Sequence, residues 1–129
     1  MGIFGKTHNE SPTITMVAGA DFKEDVMVAV KVADGTVVPC DTAGEVAFGV
    51  VIPGQGDIAK GNPITVLIKD IGLMTAAATI KVGEAVATDA NGQAVVAAAG
   101  QFIIGYATVG AEEAGDVASV QITKSGYAV

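Results

Sequence analysis

The only side chains that could act as a base or a thiolate nucleophile near neutral pH are His8 and Cys40, one of each type. His8 falls in a polar opening stretch, and no framework holds a Ser-His or Cys-His pair, so triad chemistry lacks its base. Zinc sites need Cys and His in numbers that this chain does not have. Cys40 follows Pro39 at an expected strand end, where a small half-buried hydrophobe is the ordinary role. Carboxylates are more numerous but scattered, from Asp21 through Glu24-Asp25, Asp34, Asp41, Glu45, Asp57, Asp70, Glu84, Asp89 and Glu112-Glu113 to Asp116. Most stand at turns, where an Asp side chain bonds nearby backbone. A fold could bring two together for glycoside hydrolysis, but aromatic platforms for sugars are scarce: aromatics are 5% and Trp is absent. No alternating Asp-x-Asp loop suggests calcium. Pro53-Gly54-Gln55-Gly56-Asp57 is Gly-rich but lacks the Lys-Ser/Thr of a phosphate loop. The expectation is a protein that is not an enzyme, with no catalytic, cofactor-binding or metal-binding residue.

Function must then lie in surface and shape. The chain has 129 residues, enough for one domain, and 50% are hydrophobic. That apolar content with only 16% charged residues excludes disorder over most of its length. The net charge is −7, and all seven basic residues are Lys. An acidic chain without Arg is a poor nucleic-acid binder, because phosphate and guanine contacts lean on Arg. One Cys excludes an intramolecular disulfide. No apolar run approaches a membrane span, and the start lacks the features of a signal peptide. Synthesis in a cytoplasm, with no membrane partner, is expected.

Residues 1–13 read as an extended N-terminal arm, polar apart from Ile3 and Phe4, which Gly2 and Gly5 flank and Lys6 follows. Residues 14–129 read as one β domain. Strands are expected at Ile14–Val17, Val26–Val32, Thr36–Pro39, Val46–Ile52, Ile64–Ile68 and Gly72–Thr75, with Gly, Pro, Asn or Asp between them. Such spacing suggests a sandwich or barrel. Ala76–Ala78 and Ala97–Ala99 are weak helical candidates, too short to form a helix unaided.

The second half repeats the first. The turn Asp34-Gly35 is echoed by Asn91-Gly92, Val46-Ala47-Phe48-Gly49 by Phe102-Ile103-Ile104-Gly105, and Gly61 by Gly115, with offsets of 57, 56 and 54. Gly72 is matched in the same way by Gly126. A repeat of this kind is first an architectural signal. It predicts two related halves, 14–70 and 71–124, packed about a pseudo-twofold axis. The stretch Val82–Asn91 also has the cadence of a lipoyl or biotinyl carrier domain, but neither hairpin tip carries the Lys that such a domain modifies.

An ordered series in the second half carries a resemblance. It runs Ile80-Lys81-Val82-Gly83-Glu84-Ala85-Val86, Thr88–Val95, Ile104-Gly105-Tyr106-Ala107, then Ala114-Gly115-Asp116-Val117-Ala118-Ser119-Val120-Gln121-Ile122. This resembles the head decoration, or cement, proteins of tailed bacteriophages, closely over residues 70–124 and more loosely over 14–70. The resemblance implies a small β-barrel or β-tulip-like body and an N-terminal arm, here Gly2 to Lys6, lying on the capsid lattice. It implies the major capsid protein as partner, self-association as a homotrimer at local symmetry axes, and a place on the outer surface of the expanded head. It brings no catalytic residues. Another phage structural component, such as a tail or spike module, would share the composition and turn chemistry.

Overall fold

The computed structural model describes residues 11–129. Ten strands follow one another: β1 (Thr13–Val17), β2 (Ala29–Ala33), β3 (Thr36–Pro39), β4 (Gly49–Val51), β5 (Pro63–Leu67), β6 (Asp70–Thr75), β7 (Ala85–Thr88), β8 (Ala94–Val96), β9 (Gly105–Val109) and β10 (Val117–Ile122). They form two five-stranded antiparallel sheets, β1-β5-β4-β2-β3 and β6-β10-β9-β7-β8. The protein is all-β, but the sheets do not close into a barrel: each keeps two edges. No helix forms at Ala76–Ala78 or Ala97–Ala99. Ala76 instead bridges Ala94, and the Ala98 N–H is bonded to the Gln101 side chain in a loop.

The two strand orders are the same once each number in the first is raised by five. Registers repeat as well. Ala29 pairs with Val50 and Val30 with Gly49, as Ala85 pairs with Tyr106 and Val86 with Gly105. The parallel bridge Ala18–Val37 has its counterpart in Ala76–Ala94, and the antiparallel bridge Phe22–Ile58 in Ile80–Ala111. Gly49 and Gly105 hold equivalent places for one steric reason. A Cβ at Gly49 would strike the Leu67 carbonyl, and one at Gly105 the Gln121 carbonyl. The match of Gly72 to Gly126 does not survive as an equivalence: Gly72 lies within β6, while Gly126 lies in a tail folded back on Ile103.

Strand limits differ from the expected runs in an instructive way. The Val26–Val32 and Val46–Ile52 runs enter the ladder only at Ala29 and Gly49. Before them the pairing is irregular: the Val26 N–H turns back to Lys23 O, while the Phe48 N–H and the Val28 carbonyl keep single bonds to the partner strands, at Val30 O and Val51 N–H. At the N-terminus the body begins earlier than expected. Thr13 opens β1, and the Pro12 carbonyl accepts the Ile68 N–H at 2.8 Å.

Alternation along the strands gives the first sheet two apolar faces. Val30, Val37, Val51, Ile64 and Val66 join Ala18 and Phe22 in a core belonging to the first half alone. Ala29, Val50 and Leu67 point the other way and enter a larger core with Met74, Ile104, Val120 and other residues of the second half. The halves therefore stack head to tail, correcting the expected pseudo-twofold axis. A twofold contact would bury the same positions from both halves. Instead Val50 is 1% exposed, while its counterpart Tyr106 is 38% exposed.

Candidate interaction site

The expected turn positions stand apart. Asp34 and Gly35 both have positive φ (51° and 77°), the two-residue hairpin turn that matches strand twist. This tip is open: nothing lies within 4 Å of a Cβ built at Gly35. The second turn is longer. The Asp89 carboxylate accepts the N–H groups of Asn91 and Gln93 at 2.8 and 2.9 Å, and Gly92 has φ of 74°. Gly92 is buried in the contact between the halves, where its carbonyl accepts the Ala29 N–H at 2.8 Å. The arm positions Gly2, Ile3, Phe4, Gly5 and Lys6 lie outside the described residues.

Several carboxylates hold turns through backbone N–H groups. Asp21 accepts from Lys60, Asp57 from Glu24, Glu84 from Lys81, and Asp116 from Glu112. Among the described residues, no group of three or more His, Cys, Asp or Glu could hold a metal ion. Cys40 is buried, and burial, reinforced by nearby Glu45, pushes its thiol up to about 12. At neutral pH it stays protonated, so a nucleophilic role has no support. Beside it the Thr88 hydroxyl is buried, with only a weak interaction with the Cys40 thiol.

A concave surface lies where the first half meets the second. It is a groove of about 560 Å³ lined by apolar Val32, Val46, Phe48 and Phe102 and by charged Lys31, Glu45 and Lys124. Lys31 Nζ sits 2.7 Å from Asp41 Oδ1 and 3.0 Å from Glu45 Oε1. The other Glu45 oxygen accepts the N–H groups of Asp41 and Thr42, each at 2.8 Å, which ties the loop to the ion pair. These bonds raise the Lys31 ammonium above its ordinary value, and the bond from Lys31 holds the Asp41 carboxyl below its own. Lys124 lies 5.2 Å from the centre of the Phe48 ring, a cation–π contact, and burial lowers its pKa. A smaller groove of about 300 Å³ runs where β4 meets β6, lined by Ile52, Pro53, Leu67, Ile71 and Leu73 among others.

These surfaces offer no base, nucleophile or anion cradle. They offer apolar area with fixed charges at the edge, which suits recognition of another protein surface. Sequence reasoning used Val46 and Phe48 only as markers of the repeat and Tyr106 only in the resemblance, and it assigned no surface role to these or to Val32, Lys124, Ile71 and Leu73. The repeat held a usable signal, since aligning the halves sets Val46 against Phe102 and Phe48 against Ile104.

Residues 7–122 match the family described as phage cement protein. Among solved structures, the chain is similar to the head fiber gp8.5 N base of bacteriophage phi29, with 22% identity and a TM-score of 0.55. The match covers 88% of this chain and 95% of that one. At that identity the likeness is one of fold. No curated protein matches.

Proposed function

This chain belongs to the phage cement protein family, and from that premise we propose that it binds the outer surface of an expanded phage capsid and cements the shell. At the coarser level it is a capsid-associated structural protein of a phage virion. The observation that carries the finer reading is the family match over nearly all of the body. Two stacked sheets with tight turns make a stiff body, which suits a part that bridges neighbouring shell subunits. A net charge of −7 suits an outer-face position, where no DNA need be held.

The partner in this reading is the major capsid protein, and copies of the chain meet as a homotrimer at local symmetry axes. Residues 2–6 supply the capsid contact, with Ile3 and Phe4 as anchors. Burying the two offers roughly 1.5–3 kcal/mol each before ordering costs. That is small for one copy and large across a lattice. An extended segment of this kind can add to an exposed sheet edge through main-chain bonds.

The test is to add purified chain to expanded capsids that lack decoration and image them. Lattice-specific density outside the shell, with capsids that survive heating better than bare ones, is the expected result. Deleting residues 2–10 should leave the melting temperature of the free protein nearly unchanged and weaken capsid binding at least tenfold. Undiminished binding by the truncated chain would remove the arm from this reading, and no binding by the full chain would remove the reading itself.

A further inference from the structure

Lys124 is a cation that the fold confines and leaves without a counter-charge. It follows β10, and its backbone takes the left-handed conformation at φ 50°, which a non-Gly residue seldom adopts. Asp70, at the equivalent place after β5, takes it too at φ 68°. From this turn the lysine reaches the first half, where its Nζ stands 5.2 Å from the centre of the Phe48 ring. The residue is half-buried, and burial lowers its pKa with no charged neighbour acting on it. Among the described residues, no carboxylate forms an ion pair with it. Lys60, Lys69 and Lys81 lack one too, but they are exposed and water solvates them.

The rest of the groove around Lys124 is fixed. Lys31 is held between Asp41 and Glu45, so that cluster carries its own counter-charges. Gly44, next to Glu45, donates its N–H to the Thr88 carbonyl at 2.8 Å, and its own carbonyl accepts the Phe102 N–H at 3.0 Å. Those bonds join the walls that the two halves supply. Phe102 is backed by Tyr127, with ring centres 5.7 Å apart in edge contact. Val32 and Val46 remain 46% and 52% exposed. The space of about 560 Å³ lies within the range of ligand pockets, about 300–1,000 Å³, so it admits several side chains.

A half-buried charge without a partner destabilises the folded chain, and the left-handed backbone adds to that. The Phe48 ring offsets only part of it. The missing group is an anion brought from outside, on a body apolar enough to cover the two valines. Resting on the capsid reading above, we propose that this groove docks an extended segment of the major capsid protein, which lays an apolar side chain on Val32 and Val46 and sets a carboxylate on Lys124. Charge complementarity selects this occupant. A basic segment would set like charge against Lys124, and a wholly apolar one would bury the ammonium further with no counter-ion. The contact lies on the body, so it adds to the one proposed for residues 2–6 and limits how the body can turn about that tether.

The test measures binding of the full chain to expanded capsids that lack decoration, at low and high salt. Lys124→Met keeps the apolar stem and removes the charge; it should weaken binding about tenfold at low salt and flatten the salt dependence. Lys124→Glu, which repels the incoming carboxylate, should bind more weakly still. Val32→Ser with Val46→Ser removes apolar area at two exposed positions and should also weaken binding. Circular dichroism confirms that each variant is folded. A role confined to the body gives another pattern: Lys124→Met would lower the melting temperature of the free protein and leave capsid binding alone. The proposal expects that temperature to hold or rise, because an unpaired half-buried cation is removed. A carbodiimide, which couples an amine to a carboxylate in contact with it, is applied to wild type on capsids and needs no variant. It should join Lys124 to an Asp or Glu of the capsid protein. Wild-type binding by Lys124→Met or by the serine pair, or coupling that bypasses Lys124, would overturn the inference and leave the capsid reading standing. A wild type that does not bind would overturn both.

Discussion

Met16 and Met74 occupy the same place in their sheets, paired with Ile64 and Ala118. Met74 is fully buried in the core shared by the two halves, while Met16 is half-buried at the margin of the first half's own cluster. The difference teaches that a repeated backbone does not repeat its environments. When two units stack head to tail, a position covered in one unit can stay open in the other. Equal substitutions at equivalent positions should therefore have unequal costs.

The largest contrast is expected at this pair. Met74→Ala should cost about 2–5 kcal/mol, the range for a fully buried large-to-small change, and Met16→Ala roughly half as much or less, since part of its area is already in water. Urea unfolding of both variants measures this; equal costs would break the comparison. Next come the turn glycines. Gly35→Ala meets only the penalty of a left-handed backbone, about 1 kcal/mol. Gly92→Ala meets that penalty and the Ala29 carbonyl, 2.9 Å from the new Cβ. It should lose about 2–3 kcal/mol by the same unfolding measurement.

A smaller effect is pH-dependent. Cys40 lies in the shared core, and its thiol is raised from 9.0 to about 12. Below pH 9 it is neutral in both the folded and unfolded states. Above that the unfolded chain loses its proton first, so stability falls with rising pH until the folded thiol ionises as well. The slope is about 1.4 kcal/mol per pH unit. Cys40→Ala should flatten the stability-against-pH curve between pH 9 and 11 relative to wild type, and parallel curves would show that the thiol ionises without penalty. The smallest effect is a gain. The buried Thr88 hydroxyl has only the weak Cys40 thiol beside it, and the first half places Val32 at the equivalent position. Thr88→Val should stabilise the protein by about 1 kcal/mol, seen as a higher melting temperature. A loss would mean that the hydroxyl is satisfied through the neighbouring Cys40 thiol.

Much of this architecture was legible because its causes are local. The Asp34-Gly35 pair dictates a tight hairpin through its own φ preferences. The paired motifs ending in Gly49 and Gly105 marked a repeat because a carbonyl of the neighbouring strand excludes a side chain at both. Glu84, Asp89 and Asp116 bond their own loops, as their positions suggested, whereas Asp21 and Asp57 tie together two segments distant in sequence. Other features were not legible. The Val26–Val28 and Val46–Phe48 segments have strand composition, yet regular pairing starts only after them: Val26 N–H turns back to Lys23 and the Met27 carbonyl accepts from Thr75 of the second half, while Val28 and Phe48 keep single bonds to β4 and β2. The groove residues Val32 and Val46 could not be told from core Val30 and Val37, since all four are the same residue type in similar runs.

The sequence by itself determined the all-β character, the repeat and the turn that closes the first hairpin. Each follows from short-range rules: β-branched apolar runs bounded by turn residues, and turn chemistry. Only the tertiary structure decided that the sheets stay open, that the halves stack head to tail, and which apolar positions are left in water. Those outcomes depend on which distant segment covers a given face. A Val carries no mark of whether another sheet lies above it, and Gly44 becomes a clamp on Thr88 and Phe102 only once the chain brings them together.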